Sequence, residues 1–141
     1  MRIGIDLHGV IDSDPDFFKK LLKYLISSGI EVHIVSGPPV VEIISELEEL
    51  KIEEKIHYHK VHSIVDFLKK SGVVMWNDEK GRWWSNEKDW CNSKSWICWK
   101  YGIDCMVDDK VMYKAGFDSF GISFILFNGV RERIKLLLST E

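Results

Sequence analysis

This sequence of 141 residues contains only three cysteines and three prolines, and it has no long uninterrupted hydrophobic run. The cysteines are odd in number and form no Cys-x-x-Cys pair, which indicates reduced thiols rather than a disulfide framework. No apolar stretch approaches the ~18 residues of a membrane-spanning helix, so no membrane partner is expected. Asp6 and Asp12 lie where a secretory signal would need an apolar core. These absences predict a cytoplasmic protein.

The charge balance also excludes some partners. The chain has 19 Lys and Arg against 22 Asp and Glu, for a net charge of −3, so no large basic field attracts nucleic acid. Its composition, 45% hydrophobic and 29% charged, is typical of a globular protein. A chain of this length can bury its own core, and we expect a single domain over residues 1–141.

Strand-like apolar runs alternate with helical stretches along the chain. The first helix should begin at Asp14-Pro15, because Asp is a favoured N-cap and Pro suits the first helical position. Helical stretches of about 8–15 residues separate the strands, which favours parallel βαβ units. The predicted fold class is therefore α/β, a three-layer sandwich around a mostly parallel, Rossmann-like sheet. The later predicted strands comprise residues 30–35, 56–61, 105–107 and 123–127.

One segment breaks this alternation. Residues 73–84 combine two short apolar and aromatic runs around a polar turn, which predicts a small β-hairpin insertion. All six tryptophans lie between Trp76 and Trp99, and Trp96 and Trp99 are expected in the core. The hairpin tryptophans either pack across its strands or form a small lid with an aromatic wall. Helices are predicted over residues 93–101 and 130–138.

Polar residues follow several of these apolar runs, where a parallel sheet binds its ligands. A buried carboxylate at such a position usually needs a cation as partner, although an Asp there can also merely cap a turn. Gly9 permits the positive-φ turn that a chain leaving a buried strand often needs. The polar residues are, in chain order, Asp6, Ser36-Gly37, Lys94 on a helix, and Asp108-Asp109.

This order resembles the four motifs of the haloacid dehalogenase-like (HAD) phosphohydrolase superfamily, over nearly the whole chain. It departs in the first motif, usually Asp-x-Asp-Gly, because the second Asp is replaced by His8. The resemblance implies the strand order 5-4-1-2-3, in which the first and fourth strands are neighbours. That order would bring Asp6 and Asp108 together.

The resemblance also implies a reaction and a cofactor. Asp6 would be the nucleophile of a phosphatase that forms an aspartyl-phosphate, with Mg²⁺ relieving its repulsion from the anionic substrate. Asp6 and Asp108 would supply carboxylate ligands, with Asp109 as a further ligand or acceptor. The remaining ligand would be the main-chain carbonyl of His8, which its side chain does not affect.

The imidazole of His8 would take over the proton transfers of the missing Asp, since an imidazole carries a usable proton near neutral pH. The alternative is that His8 weakens hydrolysis and leaves a non-hydrolysing binding or regulatory module that keeps the metal and phosphate pocket. Exchanging His8 for Asp separates these interpretations. A receiver domain is a third, disfavoured one, because no carboxylate follows the third predicted strand.

Ser36 and the Gly37 amide would bind the phosphoryl group at a helix N-terminus, although Ser36 can also simply cap that helix. Lys94 is preferred as the catalytic cation, because the first residue of a crossover helix lies at the carboxyl ends of the strands. Lys100 lies ~9 Å further along the axis, and Lys110 is the reserve candidate.

The expected substrate is a small phosphorylated molecule. The run Asp-x-x-Gly-Val-Ile at the first motif resembles the nucleotidase branch of the family, which favours a nucleotide over a sugar phosphate. Little sequence is available for a cap, and such an open site suits a bulky substrate or closure by another subunit. A zinc site at His57 and His59 is disfavoured, because no further ligands have suitable spacing.

Overall fold

The computed structural model describes residues 1–127, and the helix predicted over residues 130–138 lies outside them. Strands and helices alternate along this part of the chain, with short 3₁₀ turns at Ile11–Ser13 and Val111–Tyr113. None of its helices is long and apolar enough to cross a membrane. The elements are β1 (Arg2–Ile5), α1 (Pro15–Ser27), β2 (Glu31–Ser36), α2 (Val40–Glu49), β3 (Lys60–Ser63), α3 (Ile64–Lys70), β4 (Trp76–Asn77), β5 (Trp83–Trp84), α4 (Glu87–Lys100), β6 (Cys105–Asp108), α5 (Lys114–Phe120) and β7 (Ser123–Leu126).

The main sheet is parallel and has the order β3-β2-β1-β6-β7. With the hairpin strands β4 and β5 set aside, this is the predicted order 5-4-1-2-3, so the α/β fold class is confirmed. Ile5 of β1 is in register with Val107 of β6, and the Asp6 amide donates to the Val107 carbonyl at 3.0 Å. The residues that follow these two strands therefore emerge side by side.

Hydrophobic residues cover both faces of the sheet because successive strand residues point in opposite directions. Ile34 and Val107 belong to the core layer beneath α1 and α2, whereas their neighbours Val35 and Met106 face α3, α4 and α5. The helices contribute fully buried side chains such as Phe18. Each such side chain adds about 1.5–3 kcal/mol to the free energy of unfolding, and the two layers hold the sheet as the centre of a three-layer sandwich.

The start of α1 follows the prediction. The Asp14 side chain accepts a hydrogen bond from the Phe17 amide at 3.4 Å, and Pro15 is the first helical residue. Phe18 and Leu22 are buried, and the other apolar residues of the helix pack against the same core. Helical periodicity therefore identified the buried face of α1.

The third strand is displaced from its predicted position. It comprises Lys60–Ser63 rather than residues 56–61, because the preceding segment forms a turn. Lys55 has a φ of 72°, and the His57 amide donates to the Glu53 carbonyl at 2.9 Å. The Nδ1 atoms of His57 and His59 accept hydrogen bonds from the amides of Glu53 and Val32, so both imidazoles serve backbone hydrogen bonding.

The helix predicted over residues 93–101 begins earlier, at Glu87. Asn86 is its N-cap and accepts from the Asp89 amide at 2.9 Å, whereas the Ser93 hydroxyl lies inside the helix and donates to the Trp90 carbonyl. The expectation that Trp99 is in the core was wrong. Its side chain is exposed, because Ile97 faces the sheet and a residue two positions later points away from it.

The predicted hairpin is present, but each of its strands has only two residues, Trp76–Asn77 and Trp83–Trp84. The Asp78 carboxylate accepts hydrogen bonds from the amides of Lys80 and Arg82, both at 2.9 Å. These bonds fix the turn. Strand pairing in the hairpin therefore begins at Trp76 and not at residue 73, where the sequence predicted its start.

Two histidines form a buried polar chain between β2 and β3. His33 Nδ1 lies 2.8 Å from His62 Nε2, and His33 Nε2 lies 2.9 Å from a carboxylate oxygen of Glu31. The carboxylate can only accept, so in the neutral state His33 donates to Glu31 and His62 donates to His33. Burial lowers the pKa of both imidazoles, and that of His62 falls to about 4. The folded protein therefore holds this pair neutral.

The neutral pair of His33 and His62 predicts that the protein loses stability in acid. Unfolded His62 regains its ordinary pKa near 6.5, so the unfolded state binds more protons between pH 6.5 and 4. The free energy of unfolding should fall as the pH is lowered through that window, by up to about 1.4 kcal/mol per pH unit for one proton. Urea unfolding of wild type and His62→Gln at several pH values tests this. An identical slope in both proteins would contradict it.

Candidate active site

Three charged side chains meet at the carboxyl ends of β1 and β6. Lys94, on the second turn of α4, forms ion pairs with Asp6, at 3.2 Å, and with Asp108. All three residues are buried, and Lys94 and Asp108 are almost inaccessible to solvent. The sequence predicted that these residues meet, but the reason given for Lys94 was partly wrong. Lys94 is not at the start of its helix, which begins at Glu87. Its long side chain spans the distance to the sheet.

Burial and charge act in opposite directions on this cluster. Burial alone would lower the pKa of Lys94, but the charges of Asp6 and Asp108 outweigh it and hold the pKa above its usual range. Burial raises the pKa of the Asp108 carboxyl, while Lys94 counteracts that rise. Lys94 is therefore a permanent cation between two carboxylates, and the group retains an excess of negative charge.

Asp109 adds a third carboxylate to the cluster. Oxygens of Asp6, Asp108 and Asp109 all lie within 4.8 Å of one another. Gly9 has a φ of 80°, and a Cβ atom there would stand 2.1 Å from an Asp109 carboxylate oxygen. The glycine therefore serves two purposes, since it permits the turn after β1 and leaves room for this carboxylate.

This cluster fits a hard divalent cation. Oδ1 of Asp109 is buried and has no hydrogen-bond partner among the described residues. Such an atom loses its interaction with water without compensation unless a cation or another donor reaches it. Carboxylate oxygens are the ligands that Mg²⁺ prefers. Asp6, Asp108 and Asp109 are thus the residues that would hold a metal, and the carbonyl of His8 remains a predicted fourth ligand.

Ser36 lies at the end of β2, next to β1 in the sheet. Its hydroxyl is also buried without a partner in the described part of the chain. The alternative role predicted for it is wrong, because α2 begins at Val40 after Pro39 and has no side-chain cap. Gly37 likewise lies before the first turn of α2. The hydroxyl of Ser36 is therefore available to an incoming ligand.

The side chain of His8 lies outside the buried cluster of Asp6, Lys94 and Asp108 and pairs with a residue of α2. The imidazole is partly exposed, and Nε2 lies 2.5 Å from a carboxylate oxygen of Glu46 on α2. Glu46 was not predicted as a site residue. It is one of several glutamates on α2, and nothing in the sequence distinguishes it from the others. A carboxylate partner fixes the orientation of an imidazole. His8 and Glu46 thus form a pair suited to proton transfer.

The ring of Tyr113 also contacts Lys94, and two tryptophans lie behind that ring. The Lys94 ammonium lies 4.5 Å from the centre of the Tyr113 ring, and the Tyr113 hydroxyl accepts a hydrogen bond from the Trp90 indole at 3.0 Å. Trp90 in turn contacts Trp84 of the hairpin, with ring centres 5.1 Å apart. Neither Trp90 nor Tyr113 carried a recognisable signal in the sequence.

A cavity of about 330 Å³ opens beside the cluster. His8 and Gly37 line it on the side of the sheet, and the hairpin closes the other side with Arg82, Trp83 and Trp84. Trp83 and Trp84 of the hairpin therefore line a space large enough for a small ligand. Lys110, the reserve candidate for the catalytic cation, contributes its backbone amide to Asp108 at 2.9 Å.

No model of a known protein family matches the sequence, and no curated protein matches it. Among solved structures, the chain is similar to the core domain of a protein from Streptococcus pneumoniae TIGR4 to which a phosphoglycolate phosphatase function has been attributed. That likeness has a TM-score of 0.56 at 13% identity and spans 100% of this chain and 96% of the other. It shows a shared fold.

The ion pairs of Lys94 predict a large effect of its removal on stability. Lys94→Met would leave two buried carboxylates without their cation. This should lower the free energy of unfolding by about 3–5 kcal/mol. Lys100→Met, at an exposed position of the same helix, should change it by less than about 0.5 kcal/mol. Urea unfolding in EDTA measures both. Equal losses in the two variants would contradict the assignment of Lys94.

Proposed function

We propose that the protein is a Mg²⁺-dependent phosphatase that hydrolyses a phosphomonoester through a phosphorylated Asp6. The observation that supports this most is the juxtaposition of Asp6, Lys94 and Asp108 at the carboxyl ends of two adjacent strands. A phosphoryl group carries charge on three oxygens, so its transfer needs a nucleophile, a fixed cation and neutral donors. Asp6 offers the nucleophile and Lys94 the fixed cation, while the hydroxyl of Ser36, at the end of the neighbouring strand β2, would act as a neutral donor.

In the first step, an Asp6 carboxylate oxygen attacks phosphorus and the bond from phosphorus to the leaving oxygen breaks. The imidazolium of His8 transfers its proton to that oxygen, which leaves as an alcohol. Lys94 and the Ser36 hydroxyl offset the charge on the transferring group. Mg²⁺ held by Asp6, Asp108 and Asp109 would supply further positive charge and so lower the repulsion between nucleophile and substrate.

In the second step, water attacks the phosphorus of the aspartyl-phosphate. Neutral His8 accepts a proton from this water, the bond from phosphorus to Asp6 breaks, and inorganic phosphate leaves. The Asp6 carboxylate and the His8 imidazolium are thereby restored. Glu46 holds the imidazole in one orientation throughout, because its carboxylate is bonded to Nε2 in the resting protein.

This proposal predicts metal-dependent release of inorganic phosphate. Wild-type protein with Mg²⁺ should release phosphate from p-nitrophenyl phosphate or from nucleoside monophosphates, and EDTA should abolish the release. Asp6→Asn should lower kcat by at least about a thousandfold, since the amide is a far weaker nucleophile. Asp16→Asn, an exposed position on α1, is the matched control and should retain full activity. Release that is unchanged in Asp6→Asn would overturn the proposal.

A second candidate function is favoured by the pairing of His8 with Glu46. This contact draws the imidazole toward α2, and a side chain held there would leave the proton transfers unassisted. The protein would then be a binding or regulatory module that retains the phosphate and metal pocket but turns over slowly or not at all.

Substitutions at His8 and Glu46 separate the two candidate functions. In a phosphatase that uses His8, both His8→Ala and Glu46→Gln should lower kcat, the first by about 10²–10⁴-fold. In a binding module, wild type should be silent and His8→Asp should gain phosphate release, because the carboxyl restores the usual acid and base. Turnover in wild type that is unaffected by His8→Ala would contradict both roles of His8.

A further inference from the structure

Proline and tryptophan rings form much of the lining of the cavity beside the acidic cluster. Pro38 and Pro39, from the loop that follows β2, line it together with Trp83, Trp84 and Trp90. Proline and indole rings offer broad apolar faces, and these rings come from three separate parts of the chain. Charged groups, including Glu42, lie on the same lining. The cavity therefore combines apolar faces with polar edges.

Specific contacts hold the tryptophan walls in place. The Lys69 ammonium lies 3.4 Å from the centre of the Trp83 ring, which ties the hairpin to α3. The Trp84 ring packs on Trp90, while its indole N–H donates to Asp78 at 2.9 Å. That hydrogen bond is the main reason why the pKa of Asp78 falls to about 2. The walls are thus set before any ligand enters.

Flat apolar walls with polar edges select a flat ligand with polar edges. A planar heteroaromatic ring stacks on indole and keeps its hydrogen-bonding groups at its rim. An aliphatic chain would leave Glu42 and the other charged groups desolvated without a partner. The cavity volume of about 330 Å³ is at the small end of the range for ligand pockets. Such a volume suits one planar ring system.

The ring and the phosphate would belong to one molecule. His8 and Gly37 line the cavity; His8 is two residues from Asp6 of the proposed phosphoryl site, and Gly37 directly follows Ser36. Trp90 connects the two regions as well, because it contacts the cavity and also bonds the Tyr113 hydroxyl beside Lys94. A ligand with its phosphate at the cluster would place the rest of its structure against the tryptophans.

We propose that this cavity is the base-binding site of the enzyme, with Trp84 as its main stacking surface, and that the substrate is a nucleoside monophosphate. This inference rests on the proposed phosphatase function, whose substrate class it specifies. Trp84 is a specificity-determining residue here, since it would contact the substrate away from the reacting atoms.

Equilibrium dialysis in EDTA tests the base site without turnover. The probes are AMP, GMP, CMP and UMP, compared with ribose 5-phosphate, which has the same sugar and phosphate but no base. Stacking of a base is worth about a 5–150-fold change in affinity, so at least one nucleotide should bind wild-type protein at least about tenfold more tightly than ribose 5-phosphate. Equal affinity for all five ligands would overturn the inference.

Variants at two tryptophans assign the effect to the cavity. Trp84→Ala should reduce the preference for the nucleotide to less than about threefold, and Trp84→Phe should restore most of it because an aromatic face is regained. Trp99→Ala is the matched control, since Trp99 is exposed on the outside of α4 and stacks on Phe120. A preference that survives Trp84→Ala, or that is lost equally in Trp99→Ala, would overturn the role of Trp84.

Equilibrium dialysis tests the base site and the phosphate-release assay tests the phosphatase function, so either proposal can be refuted without the other. A nucleotide preference without any phosphate release would refute the phosphatase and leave the base site standing. Phosphate release from ribose 5-phosphate and nucleotides with equal kcat/KM, together with equal binding, would refute the base site and leave the phosphatase standing.

Discussion

The arrangement of this site depends on one buried cation. Lys94 pairs with Asp6 and Asp108 at the centre of the fold, where neither carboxylate has much access to water. Without that cation, two adjacent buried carboxylates would repel each other and one of them would take up a proton. With it, both remain available as oxygen ligands, and Asp109 adds a third. One lysine does not balance three carboxylates, and this excess of negative charge is what makes the cluster suited to a divalent cation.

The parallel sheet determines where this charge accumulates. Placing β6 beside β1 aligns the ends of both strands, so the residues that follow them must share one edge. The hydrophobic layers on both faces hold that register, since a shift by one residue would move every strand side chain to the opposite core layer. Trp84 of the hairpin and Trp90 of α4 then add an aromatic wall near the same edge. Stability and the candidate chemistry thus depend on the same strand order.

Much of this arrangement is encoded in local patterns that sequence reasoning can recognise. Apolar runs ending at Asp6 and Asp108 identified the strands and the carboxylates, and Asp14-Pro15 identified the start of α1. Local patterns did not identify partners distant in sequence, such as Glu46 for His8. The start of α4 was misplaced because Ser93 resembles a cap, while the true cap, Asn86, lies among other polar residues. The third strand was misplaced because alternating histidines imitate a strand in a segment whose turn depends on backbone hydrogen bonds.

Asp6, Asp108 and Asp109 are proposed to form a cation site, and calorimetric titration with Mg²⁺ measures whether they do. Wild-type protein should bind one Mg²⁺ per chain, and Asp109→Asn should weaken that binding by at least about tenfold, because it removes one of three carboxylates. Asp118→Asn, on the exposed side of α5, should bind as wild type does. Absence of Mg²⁺ binding in wild type, or equal binding by Asp109→Asn, would contradict the account.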